Sequence, residues 1–372
     1  MTIDAAKVDA LLARARREVD EGLLPSSQVA LAIDGELVAF EAFGDATLDT
    51  RYALFSCTKA FVAAAVWSLM AEGLIDVDKP VVTYIPEFGT NGKDVITVEQ
   101  VMLHTAGFPH APLAPPRWDT REGRLQAFAQ WRLNWEPGTS YEYHATSAHW
   151  VLAELIDRVT GGDYRDVLQE RVTDPAGLPR MLGIPEGKEQ DGIADLVTVG
   201  EPASTEEIRT AFGVDELPVT EVTPEAVLAF NRADVRAVGV PGGGAAGRAC
   251  DLALFYQALL HNPGEIWEPG LLADVTSRVR NELPERNSGV PANRSLGLIL
   301  AGDDGYSNVR GLGRTVSPGA FGHNGAGGQL AWADPETGLS LGYCTNGYDL
   351  HVVREPRRGT AISSLAGVCT TD

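Results

Sequence analysis

The clearest chemistry in this chain belongs to Ser56 and Lys59. They stand in the run Ala53-Leu54-Phe55-Ser56-Cys57-Thr58-Lys59-Ala60-Phe61-Val62-Ala63-Ala64-Ala65-Val66-Trp67, whose other side chains are almost all apolar. The chain has only five lysines, Lys7, Lys59, Lys79, Lys93 and Lys188. Lys59 lies where burying an ammonium is costly without a partner. On a helix, residues three apart share a face and lie within hydrogen-bond reach. Chance would supply on the order of 0.2 such Ser-x-x-Lys pairs here. Two uses are open. Ser56 is either an ordinary N-cap with Lys59 reaching out to solvent, or a nucleophile whose proton a desolvated lysine takes or relays. In the second case the helix N-terminus also favours negative charge developing at Ser56.

Other familiar chemistries are missing or weak. There is no G-x-S-x-G, H-E-x-x-H or G-x-x-x-x-G-K-[ST] pattern. Gly242, Gly244 and Gly247 fit G-x-G-x-x-G, yet Pro241 interrupts the approach. His261-Asn262-Pro263-Gly264 then follows where a dinucleotide fold needs a second parallel strand, so a tight loop is expected instead. Asp76 and Asp78 have no further ligands nearby and read as a turn, so no metal and no cofactor are predicted. Cys57, Cys250, Cys344 and Cys369 are far apart, which predicts free thiols rather than zinc or disulfides. His110, His149, His261 and His351 belong to no constellation. Trp118, Trp131 and Trp135 suit either an acyl-pocket wall or core packing.

Charge narrows the partners. The 372 residues include 30 basic and 51 acidic side chains, a formal charge of -21 that repels phosphate backbones and anionic lipid. No nucleic-acid or membrane partner is expected, and no run approaches the roughly 18 apolar residues of a spanning helix. The N-terminus has no basic start followed by an apolar stretch, which predicts a cytoplasmic protein.

The elements that must position Ser56 and Lys59 follow from periodicity. Val8, Leu11, Leu12, Ala15 and Val19 predict a helix from Asp4 to Gly22. Alternation over Gln28 to Phe40 around Asp34-Gly35 predicts a hairpin. A long apolar helix runs from about Ser56 to Gly73, and residues 97–172 read as mostly helical around a Pro-rich loop at 109–116. Residues 183–240 are weakly patterned and acidic, an elaborate insert rather than a linker. A helix follows at about Asp251 to Leu260. Strands are expected at Leu296 to Leu300, Gln329 to Ala333 and Leu339 to Cys344, and a last helix near Thr360 to Val368. Strands at both ends and helices between predict one mixed layer built from both termini with a helical unit inserted.

At this point the chain resembles the serine β-lactamases and penicillin-binding proteins, more narrowly the class C-like branch that includes the family VIII carboxylesterases. Ser56-Cys57-Thr58-Lys59 stands for the first box. Ala71-Glu72-Gly73-Leu74-Ile75-Asp76-Val77-Asp78-Lys79-Pro80 and Thr97-Val98-Glu99-Gln100-Val101-Met102-Leu103-His104-Thr105-Ala106-Gly107 are similar to flanking family segments, with His104 structural. Pro137-Gly138 followed by Tyr143 resembles the second box, and His323-Asn324-Gly325 the third. The resemblance implies an α+β fold: an antiparallel sheet flanked by helices from both chain ends (1–75 and 245–372), with a mainly helical subdomain (76–244) inserted.

It also implies roles. Ser56 becomes acylated, Tyr143 beside Lys59 serves as general base and then acid, and the amides of Ser56 and Ala326 form the oxyanion hole. His323, Asn324, Gly325 and Ala145 meet the substrate, with His323 lining the pocket opposite Ser56 and orienting Tyr143 or a substrate acceptor. Tyr141, two residues before Tyr143, is the aromatic it must be told from. Two departures bear on substrate. Ala145 stands where penicillin-recognising relatives have asparagine, and His323 where many β-lactamases have lysine. A β-lactam or peptide amide loses a partner at the first and a substrate carboxylate at the second. The expected function is a carboxylesterase acting on a small-molecule acyl substrate. An acyltransferase or thioesterase of a biosynthetic pathway comes next, then a D-amino-acid amidase, peptidase or β-lactamase, and last a non-catalytic acyl-ligand sensor.

Overall fold

The computed structural model describes residues 1–217 and 222–371. Helix α1 (Ala5–Asp20) starts where the Asp4 carboxylate accepts from the Ala6 and Lys7 amides, and it buries Val8, Leu11 and Ala15. Strands β1 (Ser26–Ile33) and β2 (Glu36–Gly44) form the expected hairpin. Its turn residues, Asp34 and Gly35, have φ of 51° and 82°, the left-handed pair that matches strand twist in a two-residue turn. The other end of the chain contributes β3 (Ile299–Leu300), β4 (Phe321–Gly322), β5 (Leu330–Ala333) and β6 (Ser340–Thr345). Together they make one six-stranded sheet in the order β2-β1-β6-β5-β4-β3, with every neighbouring pair antiparallel. The fold is α+β.

The two faces of the sheet differ in side-chain size. Val29, Leu31, Trp332, Leu341 and Tyr343 pack beneath α1 and the C-terminal helix, which contributes Ile362 and Ala366. The opposite face carries Ala30, Ala32, Ala331 and Ala333. That smallness lets the helix Ala249–His261 lie almost on the strands: a Cβ on Gly342 would fall 1.9 Å from the Ala249 carbonyl oxygen. Past it lies α2 (Thr58–Ala71), buried on all sides except at Ser68, Met70 and Ala71. A helix apolar all round belongs inside, between two layers. It packs on one side toward the sheet and on the other against the helix Ser147–Thr160.

Three departures from the expected elements have physical causes. The strand expected at 296–300 shortens to Ile299–Leu300, because Leu296 and Gly297 turn against α2. The Trp67 indole donates to the Leu296 carbonyl at 2.9 Å, and a Cβ on Gly297 (φ 95°) would strike the Ala63 methyl at 2.2 Å. The last helix begins at Arg354 rather than near Thr360; Pro356 sits in its first turn, where an amide has no helical partner to lose. Strand β4 and the two-residue pairings of Thr2–Ile3 with Thr370–Thr371 and of Tyr52–Ala53 with Ala246–Gly247 are too short to show a period.

The segment 183–240 is folded where it is described, and four of its residues, 218–221, lie outside the described residues. Val197–Val199 pairs in parallel with Gly347–Asp349, and short helices span Thr205–Phe212, Pro224–Leu228 and Ala233–Val238. The glycines 242, 244 and 247 form a tight loop in which the Gly244 amide donates to the Val240 carbonyl at 2.6 Å. All four cysteines are buried and unpaired. Among the described residues no helix is long and apolar enough to cross a membrane.

Candidate active site

Ser56 is aimed by strain. Tyr52–Ala53 is pinned to Ala246–Gly247, the Leu54 amide donates to the Ala245 carbonyl at 2.9 Å, and Phe55 then turns through φ 45°. A left-handed phenylalanine costs about 1–2 kcal/mol, so the neighbours impose it. The 3₁₀ turn Phe55–Cys57 runs straight into α2, and no side chain caps the start of either. Ser56 is therefore not an N-cap. Its side chain borders the apolar cavity described below.

Lys59 does not reach solvent either. It is fully buried. Its Nζ lies 3.1 Å from Ser56 Oγ, 2.7 Å from the Ala145 carbonyl oxygen and 2.6 Å from the Gly242 carbonyl oxygen. Among the described residues no carboxylate pairs with it. Burial first, and the positive charge of Arg294 second, hold its amine well below the usual lysine range. Nζ donates to both carbonyls and to Ser56 Oγ, and its lowered basicity suits it to relay a proton with the serine.

Tyr143 packs with its ring 4.9 Å from Lys59 Nζ. Its Oη is buried and makes no hydrogen bond of ordinary geometry, although the Ser56 hydroxyl is near enough to favour the phenolate. Burial raises the phenol above its usual range, and Arg294 and Ser56 oppose that rise. The segment is held by two histidines. His104 Nδ1 accepts from the His144 amide at 3.2 Å, and its ring lies 4.8 Å from that of Tyr143. His144 Nε2 accepts from the Phe108 amide at 3.1 Å, while its Nδ1 is 2.7 Å from the Glu142 carbonyl oxygen. Burial pushes His144 down to about 3, so both stay neutral braces. Tyr141 Oη points elsewhere and accepts from Arg294 Nε at 2.9 Å.

The third box divides between the site and its surroundings. Gly325 brings the chain against the nucleophile turn: a Cβ there would sit 2.3 Å from the Leu54 carbonyl oxygen. The next residue, Ala326, lines the same cavity as Ser56. Among the described residues neither the Ser56 amide nor the Ala326 amide donates to a protein acceptor, whereas the Gly325 amide donates to the Gln329 carbonyl at 2.9 Å. His323 and Asn324 stand outside the cavity lining. Instead of lining the pocket opposite Ser56, His323 is buried beside Tyr143, the residue it is also expected to orient, with ring centroids 6.1 Å apart. Its Nδ1 lies 2.9 Å from the Asn324 carbonyl oxygen and its Nε2 3.4 Å from Arg294 Nη1. The Asn324 amide turns away and donates to the Arg310 carbonyl at 3.2 Å.

The cavity holds about 440 Å³. Phe55, Leu113, Trp118, Val227, Phe230 and Val240 supply much of its wall, with Ala145 and Ala326 beside Ser56. The weakly patterned insert thus contributes Val227 and Phe230. Trp118 lines the cavity, while Trp131 packs in the helical core and Trp135 lies under Arg286. Sequence reasoning missed two partners. Gly242 serves through its carbonyl, which no side-chain type announces. Arg294 comes close to Tyr143 from a segment without any motif.

A serine bordering a cavity, hydrogen-bonded to a buried lysine and with a tyrosine hydroxyl facing it, on this α+β frame, is the equipment of a serine hydrolase. The family model described as Beta-lactamase matches residues 10–364, and the chain belongs to the β-lactamase family. It is 31% identical to the esterase/beta-lactamase LipL of Mycobacterium tuberculosis over 314 residues, 80% of this chain and 70% of LipL. It is 28% identical to the esterase EstB of Burkholderia gladioli, over 74% of each chain. The crystal structure of a family VIII carboxylesterase superposes with a TM-score of 0.78 at 28% identity, covering 100% of this chain and 99% of that one. The protein is an enzyme, a serine hydrolase of the esterase-type branch of this family.

Proposed function

We propose that the chain is a carboxylesterase acting on small esters with an apolar acyl group, through an acyl-enzyme on Ser56. The observation that carries this reading is the cavity of about 440 Å³, apolar in its walls and bordered by Ser56, Ala326 and Ala145. Such a wall, in which Ser56 and Thr146 carry the hydroxyls, rewards a hydrocarbon acyl chain more than an amide side chain or a carboxylate. The esterase names of LipL, EstB and the family VIII neighbour agree with it.

In this reading Lys59 and Tyr143 take the Ser56 proton as Oγ bonds to the ester carbonyl carbon. The amides of Ser56 and Ala326 hold the resulting oxyanion, worth a few kcal/mol each in such sites. Collapse breaks the bond to the alcohol oxygen, which receives the proton from Tyr143. Water then attacks the acyl-enzyme by the reverse proton path. The carbonyl of Ala145 is occupied by Lys59, and its methyl replaces an amide that a β-lactam would use. Two weakened contacts at about 1–3 kcal/mol each predict a preference of at least about a hundredfold for short p-nitrophenyl esters over penicillins or cephalosporins. Comparing kcat/KM for both classes on one preparation tests it. Equal efficiency toward nitrocefin would replace the esterase reading with a β-lactamase one.

A further inference from the structure

Arg294 is a buried cation. It is 7% exposed, and among the described residues no carboxylate pairs with it. Its backbone is fixed against the segment 280–281, since the Arg280 and Asn281 amides donate to its carbonyl and its own amide donates to the Asn281 carbonyl. The guanidinium carbon sits 5.1 Å from the centre of the Tyr143 ring and 5.8 Å from that of Tyr141. Nε donates to Tyr141 Oη at 2.9 Å, and Nη1 is 3.4 Å from His323 Nε2. Because His323 Nδ1 faces the Asn324 carbonyl, Nδ1 carries the ring hydrogen and Nε2 offers a lone pair. The histidine of the third box is therefore an uncharged strut for Arg294.

The neighbouring charged groups are engaged elsewhere. Arg310 pairs with Asp304, and the Glu285 carboxylate accepts from Asn287 and Ser288 in its own turn. Among the described residues the other titratable groups around Tyr143 and Lys59 include His104, His149, His323, Tyr141 and Cys57, with His144 behind His104. Burial keeps His104, His149 and His323 far below their usual range, and it raises Cys57 into the neutral thiol. Burial also disfavours the charged form of Lys59, whereas Arg294 brings a guanidinium that stays charged.

We propose that Arg294 is a positioning residue of the active site: its guanidinium, locked between Tyr141 and His323 and laid on the Tyr143 ring, supplies the positive charge that stabilises the Tyr143 phenolate, the base that takes the Ser56 proton. This rests on the reading of Tyr143 as base. Leaving such a cation without a carboxylate is unfavourable for stability, and a partner would cancel its field at the tyrosine.

The test is the pH profile of kcat/KM for a short p-nitrophenyl ester. Removing a charge at this range should move the ascending limb upward by about one to two units. Arg294→Gln and Arg294→Met should both show that shift, a loss of about ten- to a hundredfold at neutral pH, and recovery at alkaline pH. Arg294→Lys, which keeps the charge, should restore the limb. Circular dichroism selects whichever neutral variant folds. A uniform loss with an unmoved limb, a limb displaced as far by lysine as by glutamine, or a loss confined to esters bearing a carboxylate would each overturn the inference. If Tyr143→Phe keeps full turnover, the base assignment itself falls. If Tyr143→Phe is inactive and Arg294→Gln leaves the limb in place, only the role of Arg294 falls.

Discussion

Tyr141 and Tyr143 differ in what their hydroxyls touch, and that difference predicts opposite outcomes for the same substitution. Tyr143 Oη is buried without a hydrogen bond of ordinary geometry, so Tyr143→Phe removes a polar atom that the fold does not use. Stability should hold or rise by up to about 1 kcal/mol, since a buried unsatisfied hydroxyl is a cost. Turnover should fall by about two to four orders of magnitude, the range for a lost general acid–base group, or about 2.7–5.4 kcal/mol of transition-state stabilisation. Tyr141 Oη is the acceptor for Arg294 Nε at 2.9 Å. Tyr141→Phe orphans a buried charged donor and should cost about 1.5–3 kcal/mol of stability, with a much smaller effect on turnover. The assay is kcat/KM for p-nitrophenyl butyrate beside urea unfolding of each purified variant. If Tyr141→Phe damages turnover more than Tyr143→Phe, or if both variants lose stability alike, the assignment of the two tyrosines is refuted.

Ser56→Ala should abolish ester turnover and keep the fold, and a fluorophosphonate should leave a single adduct, on Ser56, by mass spectrometry; an adduct elsewhere rejects the nucleophile. Stability should fall steeply in acid. His104, His144, His149 and His323 are all depressed by burial, so below their unfolded value near 6.5 the unfolded chain binds protons that the folded one does not. Stability then rises with pH, by up to about 1.4 kcal/mol per unit for each histidine, throughout the window from about 6.5 down to the folded values. A urea midpoint that stays level from pH 7 to pH 5 contradicts four neutral buried rings.

Much of this protein was legible in local chemistry. A serine and a lysine at helical spacing inside an apolar run signalled a buried pair, because burial of an amine is too costly to be incidental. Asp34-Gly35 announced its hairpin because only left-handed residues close a two-residue turn with the right twist. The second and third boxes followed from resemblance, and Tyr143 and Ala326 came to lie beside Ser56.

What local chemistry could not announce was decided by approach. Lys59 owes its environment to the carbonyls of Ala145 and Gly242, backbone groups identical at every residue and distinguished only by where the chain brings them. The acyl wall comes partly from Val227 and Phe230, in a stretch whose short helices are too brief to print a period. His323 reads as a pocket residue from its motif, yet in the folded protein it faces Arg294. That arginine lies 151 residues from Tyr143 in the chain and carries no motif of its own. An electrostatic field depends on distance in space, and sequence separation records none of it.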